Sequence, residues 1–264
     1  MRKAEASGFQ KSVFMILEVC IDSVESAIAA ERGGARRVEL CSDLLEGGIT
    51  PGAGLIAQVR KHIAINLFVM IRSRGGDFCY SELEFEVMRE EIRQAQRLGA
   101  DGVVLGLLND EGCVDMVRTR ELVELTRPLP VTFHRAIDMT QDLQVAVEHV
   151  IATGAIRILT SGGASDATRG IREIAKMVEI ANGRISVMPG GGVSIKTIAK
   201  IARATGATEF HSSVRSTIPS PVRFRKEGIA MGNLRGKEFV RHEVREANVR
   251  ALVDMLDRLS EKSA

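Results

Sequence analysis

The sequence predicts a (β/α)8 barrel, also known as a TIM barrel, built as a single α/β domain. Three observations support this fold: short β-branched segments alternate with longer segments of helical periodicity, eight such short segments are present, and a Gly-Ala pair precedes every second one. A doubly wound open sheet is the alternative, but that fold usually has fewer strands. We expect the barrel to span residues 14–264, after a flexible N-terminal tail of residues 1–13.

Eight segments have the length and composition of buried strands. In chain order they are Met15–Ile21, Arg37–Cys41, Asn66–Arg72, Gly102–Leu107, Pro130–Arg135, Arg157–Thr160, Arg184–Met188 and Thr208–Ser212. The segments between them are long enough for a helix, and their apolar residues recur at helical spacing. One predicted apolar stripe consists of Leu83, Val87, Ile92 and Ala95.

A Gly-Ala pair precedes the second, fourth, sixth and eighth predicted strands, at residues 34–35, 99–100, 154–155 and 206–207. Glycine supplies the left-handed residue that commonly ends a helix, and alanine allows the helix end to pack closely on the sheet. The repeat indicates a unit of two βα elements that is used four times. The C-terminal extension, residues 213–264, is rich in Pro, Gly and Arg at its start. There we expect a long loop and then a last helix around Glu243–Leu259.

Composition and charge restrict the class of partner. The net charge is only +2, from 36 Lys and Arg against 34 Asp and Glu, and the chain has no Trp and one Tyr. This balance gives no support to a nucleic-acid or membrane-surface partner. No apolar run approaches the roughly 20 residues that span a bilayer, and the first residues are too polar for a secretory signal. We therefore expect an intracellular protein with four reduced cysteines.

Polar side chains occur near the carboxyl ends of the first two predicted strands, where the chemistry of TIM barrels takes place. Because side chains alternate along a strand, Glu18 and Cys20 share one face, as do Glu39 and Cys41. The residues between them are apolar and suited to packing under helices. The polar set is therefore predicted to point into the barrel.

Buried carboxylates need counter-charges, and Arg72, His134 and His211 are the available partners. One alternative is a purely structural ion network, and the other is a cavity whose acids have perturbed pKa values. In the second case Glu39, His134 and Glu209 are candidate proton-transfer residues, and Arg72 would bind an acidic group of the substrate. No lysine ends a predicted strand, which disfavours a Schiff-base aldolase.

Two glycine-rich loops follow the sixth and seventh predicted strands, with the sequences TSGG and PGGG. Backbone N–H groups exposed in such loops bind anions, commonly phosphate, although a tight turn is the simpler explanation of one or two glycines. If the protein is an enzyme, the ligand of this site is predicted to be a small phosphorylated or carboxylated metabolite. The residues predicted to bind it are Ser161, Gly162, Gly190, Gly191 and Gly192.

Cys20 and Cys41 fall on adjacent predicted strands, which lie roughly 4.8 Å apart in a sheet. Two facing thiols could hold one soft ion, and thiolates select Cu(I) or Zn. The alternative is that both cysteines only pack, as small buried cysteines often do.

Six segments that occur in order resemble the CutC family of copper homeostasis proteins. They are EVCIDSVESAIAAERGGARRVELCSDLLEGGITP, FVMIRSRGGDF, PLPVTFHRAIDM, ILTSGG, VMPGGG and ATEFHSS. The resemblance runs from about Ile16 to Arg215, and animal-type members are the most similar. It implies a TIM barrel, a cytosolic and partly nuclear location, a homo-oligomer (dimer or tetramer), and Cu(I) bound by Cys20 and Cys41 as metal ligands.

The leading interpretation is therefore a cytosolic copper-binding protein that captures Cu(I) at the mouth of the barrel, with no organic cofactor. The alternative is a TIM-barrel enzyme that acts on a small anionic metabolite. A scaffold whose C-terminal arm organises an oligomer is a third interpretation. Family resemblance indicates the fold more strongly than the function, because one barrel architecture supports many activities.

Overall fold

The computed structural model describes residues 14–226, 228–229 and 238–262. Eight parallel strands form the barrel, which confirms the predicted fold. They are β1 (Ile16–Ile21), β2 (Arg37–Leu40), β3 (Asn66–Met70), β4 (Gly102–Leu105), β5 (Val131–Phe133), β6 (Arg157–Thr160), β7 (Ser186–Pro189) and β8 (Glu209–Ser212). The tail predicted at residues 1–13 lies outside the described residues.

Helices cover the outside of the barrel. They are α1 (Val24–Arg32), α2 (Ala53–His62), α3 (Glu82–Arg97), α4 (Met116–Thr126), α5 (Leu143–Thr153), α6 (Ile171–Ala181), α7 (Ile198–Thr205) and α8 (Glu246–Lys262). Within the described ranges, none of these helices is long and apolar enough to cross a membrane.

The hydrogen-bonded strand order is β7-β6-β5-β4-β3-β2-β1-β8. In the described residues β7 and β8 pack side by side without a shared ladder, so the barrel is nearly closed. The pairing of β1 with β8 places Glu18 opposite His211, and the pairing of β1 with β2 places Cys20 opposite Glu39. This register brings side chains from both ends of the sequence together at one point of the interior.

The strands alternate as the sequence predicts. Val19 and Leu40 are completely buried between the sheet and the helices, whereas Cys20, Cys41 and Met70 belong to a separate small cluster inside the barrel. Burial of each large aliphatic side chain in the outer layer contributes about 1.5–3 kcal/mol. The outer layer therefore holds the barrel together and leaves its inner face for polar groups.

The apolar stripe predicted for the third helix is partly wrong. Leu83 and Val87 are 80% and 48% exposed, while α3 buries Phe85 and Met88 together with the correctly predicted Ile92 and Ala95. The helix has apolar residues on more than one side, and only the side that includes Phe85 faces the sheet.

In the described residues of the C-terminal extension, regular structure begins earlier than the sequence predicts. It contains two antiparallel strands, β9 (Arg215–Pro219) and β10 (Val240–Val244), before the predicted last helix, α8. Val249, Leu252 and Leu256 of α8 are buried, and Gly33 at the end of α1 lies directly against Val249. Since α8 also contacts α7 and β1, it occupies the place of the eighth barrel helix.

Candidate functional site

A cavity of about 490 Å³ opens at the carboxyl ends of the strands. Its wall combines a thiol, carboxylates, imidazoles and guanidinium groups with the glycines that follow β7. The lining residues important for its chemistry include Cys20, Glu39, Arg72, His134, Arg135, Gly191, Gly192 and His211. Active sites of TIM barrels form at this end because the loops that follow the strands meet there.

One part of the cavity wall has the composition of a metal site. The Sγ atom of Cys20, a carboxylate oxygen of Glu39 and a ring nitrogen of His211 lie within 4.8 Å of one another, and all three residues are buried. Cys41 is completely buried beside them, with its Sγ 4.0 Å from that of Cys20. The predicted proximity of the two thiols is thus present, but only Cys20 is among the residues that line the cavity.

The two thiols differ in protonation. The hydrogen bond from Cys41 lowers the pKa of Cys20 to about 5; His211 and Glu39 also lower it, and burial opposes the change. The same hydrogen bond, together with burial and the charge of Cys20, raises the pKa of Cys41 well above its usual value. At neutral pH Cys20 is therefore the thiolate of the pair, and the S–H group of Cys41 has two acceptors within reach, Sγ of Cys20 at 4.0 Å and Oε2 of Glu39 at 3.6 Å.

His211 is held between two carboxyl groups. Its Nδ1 lies 2.8 Å from Oε1 of Glu18, and its Nε2 lies 3.6 Å from Oε2 of Glu39. Burial alone would lower the pKa of His211, but Glu39, Cys20 and Glu18 outweigh burial and raise it well above its usual value. The ring is therefore a cation that donates to Glu18 and faces the thiolate.

The pKa of Glu39 is shifted in the opposite direction to those of Glu18 and Glu209. Burial, with the nearby charges of Cys20 and Glu18, raises its pKa well above the usual range despite the opposing charge of His211. Its Oε1 is buried and has no hydrogen-bond partner among the described residues. Glu39 therefore has a free position for a ligand or a proton.

A buried ion network lies among the inward-facing side chains. Arg37 contacts Glu18 and also Glu209, with 2.5 Å between Nη2 of Arg37 and Oε2 of Glu209. Arg157 donates to both oxygens of Glu209. Although burial opposes the change, these guanidinium groups keep the pKa values of both carboxyls below the usual range.

This network adds to the predicted counter-charges. Of the predicted partners His211 pairs with Glu18, whereas Arg37 and Arg157 compensate Glu18 and Glu209. Glu209 bonds to both arginines and is not among the residues that line the cavity, and its role in proton transfer remains a prediction. Sequence reasoning missed both arginines. A usable signal was present, because Arg37 has the same strand parity as Glu39 and Cys41 and therefore also points inward.

Arg72 lines the cavity but pairs with no acid in the described part of the chain. Its guanidinium group donates to the backbone carbonyls of Glu46, Gly48 and Gly76, and it stacks over the ring of Phe78. These bonds tie the loops after β2 and β3 together. Arg72 is thus a residue that shapes the cavity wall.

His134 is buried and neutral. Burial, followed by the charge of Arg72, lowers its pKa to about 3. Nδ1 accepts a hydrogen bond from the amide of Ala136 at 3.2 Å, which assigns the ring proton to Nε2. That Nε2 has no partner among the described residues. The ring fits only because residue 106 is glycine: a Cβ there would lie 2.5 Å from Nδ1.

The amides of the TSGG loop are already used within the protein. Asp138 accepts hydrogen bonds from the amides of Ser161 and Gly163, and the amide of Gly162 donates to the hydroxyl of Thr160. After β7, the amide of Gly190 donates to the carbonyl of Thr160. These bonds correct the predicted anion site at Ser161, Gly162 and Gly190, whereas Gly191 and Gly192 do line the cavity.

The fold and the site together define a TIM-barrel protein with a buried thiolate–imidazole–carboxyl group at the carboxyl ends of its strands. The chain belongs to the CutC family, whose family model matches residues 15–216. It is 52% identical over 217 residues to the copper homeostasis protein cutC homolog of Mus musculus, covering 82% of this chain and 80% of the mouse protein.

Two further comparisons agree with this assignment. A CutC family protein of Chromobacterium violaceum is 48% identical over 243 residues, covering 92% of this chain and 98% of that protein. The crystal structure of a copper homeostasis protein CutC from Streptococcus agalactiae superposes with a TM-score of 0.72 at 33% identity, covering 76% of this chain and 99% of that one. The resemblance noted in the sequence is confirmed.

Proposed function

We propose that this protein captures Cu(I) between Cys20 and Cys41, with His211 as a third donor, and so takes part in copper homeostasis. The observation that supports the proposal most directly is the 4.0 Å separation of the two Sγ atoms beside a buried imidazole. Two metal–sulfur bonds of about 2.3 Å, the length found with zinc, can bridge such a distance. Thiolate and imidazole donors favour Cu(I) over hard cations such as Mg²⁺ or Ca²⁺.

The electrostatics of the site favour capture of a cation. Cys20 is already deprotonated at neutral pH, so one metal–sulfur bond forms without loss of a proton, while Cys41 and Nε2 of His211 must each release a proton before they bind the ion. Because both sulfurs are buried, the bound ion would be shielded from solvent. Glu39 provides an oxygen at the edge of the site, and its raised pKa means that it adds no negative charge beside the two thiolates.

The names of the mouse and human relatives support a role in copper homeostasis. We place this function in the cytosol and in part in the nucleus, in a homo-oligomer, as the family resemblance implies. Reduced cysteines are consistent with that compartment. Size-exclusion chromatography with light scattering measures the oligomeric state. A monomer at micromolar concentration would contradict the proposed homo-oligomer.

An anaerobic Cu(I) titration against a competing chelator tests the proposal. The wild type should bind one ion tightly, and the double variant Cys20→Ala/Cys41→Ala should lose this site. The matched control is Cys79→Ala/Cys113→Ala, which removes the two cysteines that are not part of the proposed site and should retain the wild-type affinity. Equal affinity in the wild type and the Cys20/Cys41 variant would refute copper capture at this pair.

A further inference from the structure

The loop after β7 lines the cavity and contains backbone N–H groups that are not used within the described protein. Gly191 and Gly192 have φ values of 82° and 75°, in the left-handed region that favours glycine. Within the described part of the chain, the amides of Gly191, Gly192 and Val193 donate to no protein acceptor. The hydroxyl of Ser212 on β8 donates to the carbonyl of Val193 at 2.6 Å, which fixes the loop. Successive unused amides in such a turn form a concavity that binds anions.

Arg135 adds a positive charge at this concavity. Its Nε donates to Asp138 at 2.8 Å and its Nη2 donates to Ser161 at 2.7 Å, so the guanidinium plane has a fixed orientation. Nη1 has no acceptor among the residues that the structure describes, and it lies 3.5 Å from the position that a Cβ of Gly191 would occupy. Nη1 therefore lies next to the backbone of Gly191, and both residues line the cavity.

Two carboxylates lie close to this concavity, and both are already satisfied. Asp138 accepts from Arg135 and from the Ser161 and Gly163 amides. Asp166, beside Gly192, accepts from the amides of Thr168 and Arg169. Donors in the surrounding loops therefore satisfy both carboxylates. The unused donors are thus left for an external anion.

His134 provides an independent sign that a ligand belongs here. It is 3% exposed, it immediately precedes Arg135, and it lines the same cavity, yet its Nε2 has no partner among the described residues. An unpaired buried donor costs about 1–3 kcal/mol, and such groups in folded proteins are normally satisfied by a ligand or water. An acceptor oxygen of a ligand in the cavity would satisfy Nε2.

We propose that the cavity contains a second site, for a small organic phosphate that also carries a carbonyl or hydroxyl oxygen. The phosphate group binds to the amides of Gly191, Gly192 and Val193 and to Nη1 of Arg135, and the other oxygen accepts a hydrogen bond from His134. The volume of about 490 Å³ lies at the lower end of the range of about 300–1,000 Å³ typical of small-molecule pockets. This site goes beyond copper capture and shares no donor atom with it.

Isothermal titration at constant ionic strength tests the site with inorganic phosphate, glycerol 3-phosphate, dihydroxyacetone phosphate and glycerate. In Arg135→Gln, both phosphate esters and inorganic phosphate should bind about tenfold or more weakly, because a charge-assisted hydrogen bond is lost. In His134→Phe, only the esters should weaken, and inorganic phosphate should be unaffected. Arg127→Gln, which alters an exposed arginine paired with Glu124, is the matched control and should leave all affinities unchanged.

Three outcomes would overturn the proposal: neither ester binds, Arg135→Gln binds the esters as tightly as the wild type, or glycerate binds more tightly than glycerol 3-phosphate. Arg135 is partly exposed, so its variant provides the test alone if His134→Phe does not fold. Both variants should keep the wild-type Cu(I) affinity. A loss of Cu(I) binding in the Cys20/Cys41 variant with intact ester binding would show that the two sites are separate.

Discussion

Arg157 donates to both carboxylate oxygens of Glu209, from Nε to Oε2 at 2.7 Å and from Nη2 to Oε1 at 3.2 Å. The two residues lie on β6 and β8, which are not paired in the sheet, so this ion pair crosses the interior of the barrel. Arg37 bonds to the same carboxylate from β2. One carboxylate on β8 thus bonds to two arginines from two other strands, and Glu18 on β1 supplies the second negative charge through Arg37.

Replacing Glu209 should destabilise the protein strongly. Glu209→Gln keeps the shape of the side chain but removes the carboxylate that Arg37 and Arg157 share, and loss of one partner of a buried ion pair costs about 3–5 kcal/mol. Urea unfolding at pH 7 measures the change. The control Glu148→Gln breaks the exposed pair with Arg184 and should cost less than about 1 kcal/mol. Similar losses in both variants would contradict a central role for the network.

A side chain at residue 106 should destabilise the protein. Its φ is not in the left-handed region, but a Cβ would lie 2.5 Å from Nδ1 of His134 and 3.0 Å from the Cβ of Ala136. Gly106→Ala should therefore lower the free energy of unfolding by about 1–3 kcal/mol, as overpacking does. Gly54→Ala is the control, because a Cβ at Gly54 in α2 would meet nothing within 4 Å. Gly54→Ala should be neutral or should stabilise the protein by up to about 1 kcal/mol. If Gly106→Ala were also neutral, His134 would not be held by its contact with residue 106.

Cys20 should remain reactive at acid pH. Since the hydrogen bond from Cys41 lowers its pKa to about 5, the thiolate predominates at all pH values above about 5 and is lost only as the pH falls through that value. An ordinary cysteine has a pKa of about 8.5, so its thiolate fraction decreases about tenfold per pH unit below that value. Mass spectrometry of iodoacetamide labelling between pH 4 and 9 compares Cys20 with the exposed Cys79. Parallel pH profiles for the two residues would contradict the assigned thiolate.

The sequence was sufficient to predict the barrel and the inward face of its first two strands. Alternation along a strand is a local property, so the sequence alone places Glu18, Cys20, Glu39 and Cys41 on the inner face. It does not identify the partner of each charge, because Arg157 and Glu209 meet only when the barrel closes. The same limit applies to the TSGG loop, in which the amides of Ser161 and Gly163 donate to Asp138 from the segment after β5. No local sequence pattern shows that a carboxylate distant in the chain accepts hydrogen bonds from the amides of a loop.

The contact between Glu18 and His211 has a consequence for the order of folding. The two residues are 193 positions apart, and the strands that carry them, β1 and β8, pair with each other. During synthesis the first strand therefore leaves the ribosome long before its neighbour exists, and its buried acid has no imidazole partner until most of the chain has been made. Contacts of such long sequence separation slow folding and prolong the exposure of unpaired edges. His211, the proposed third copper ligand, can therefore reach Cys20 only after β8 has been synthesised.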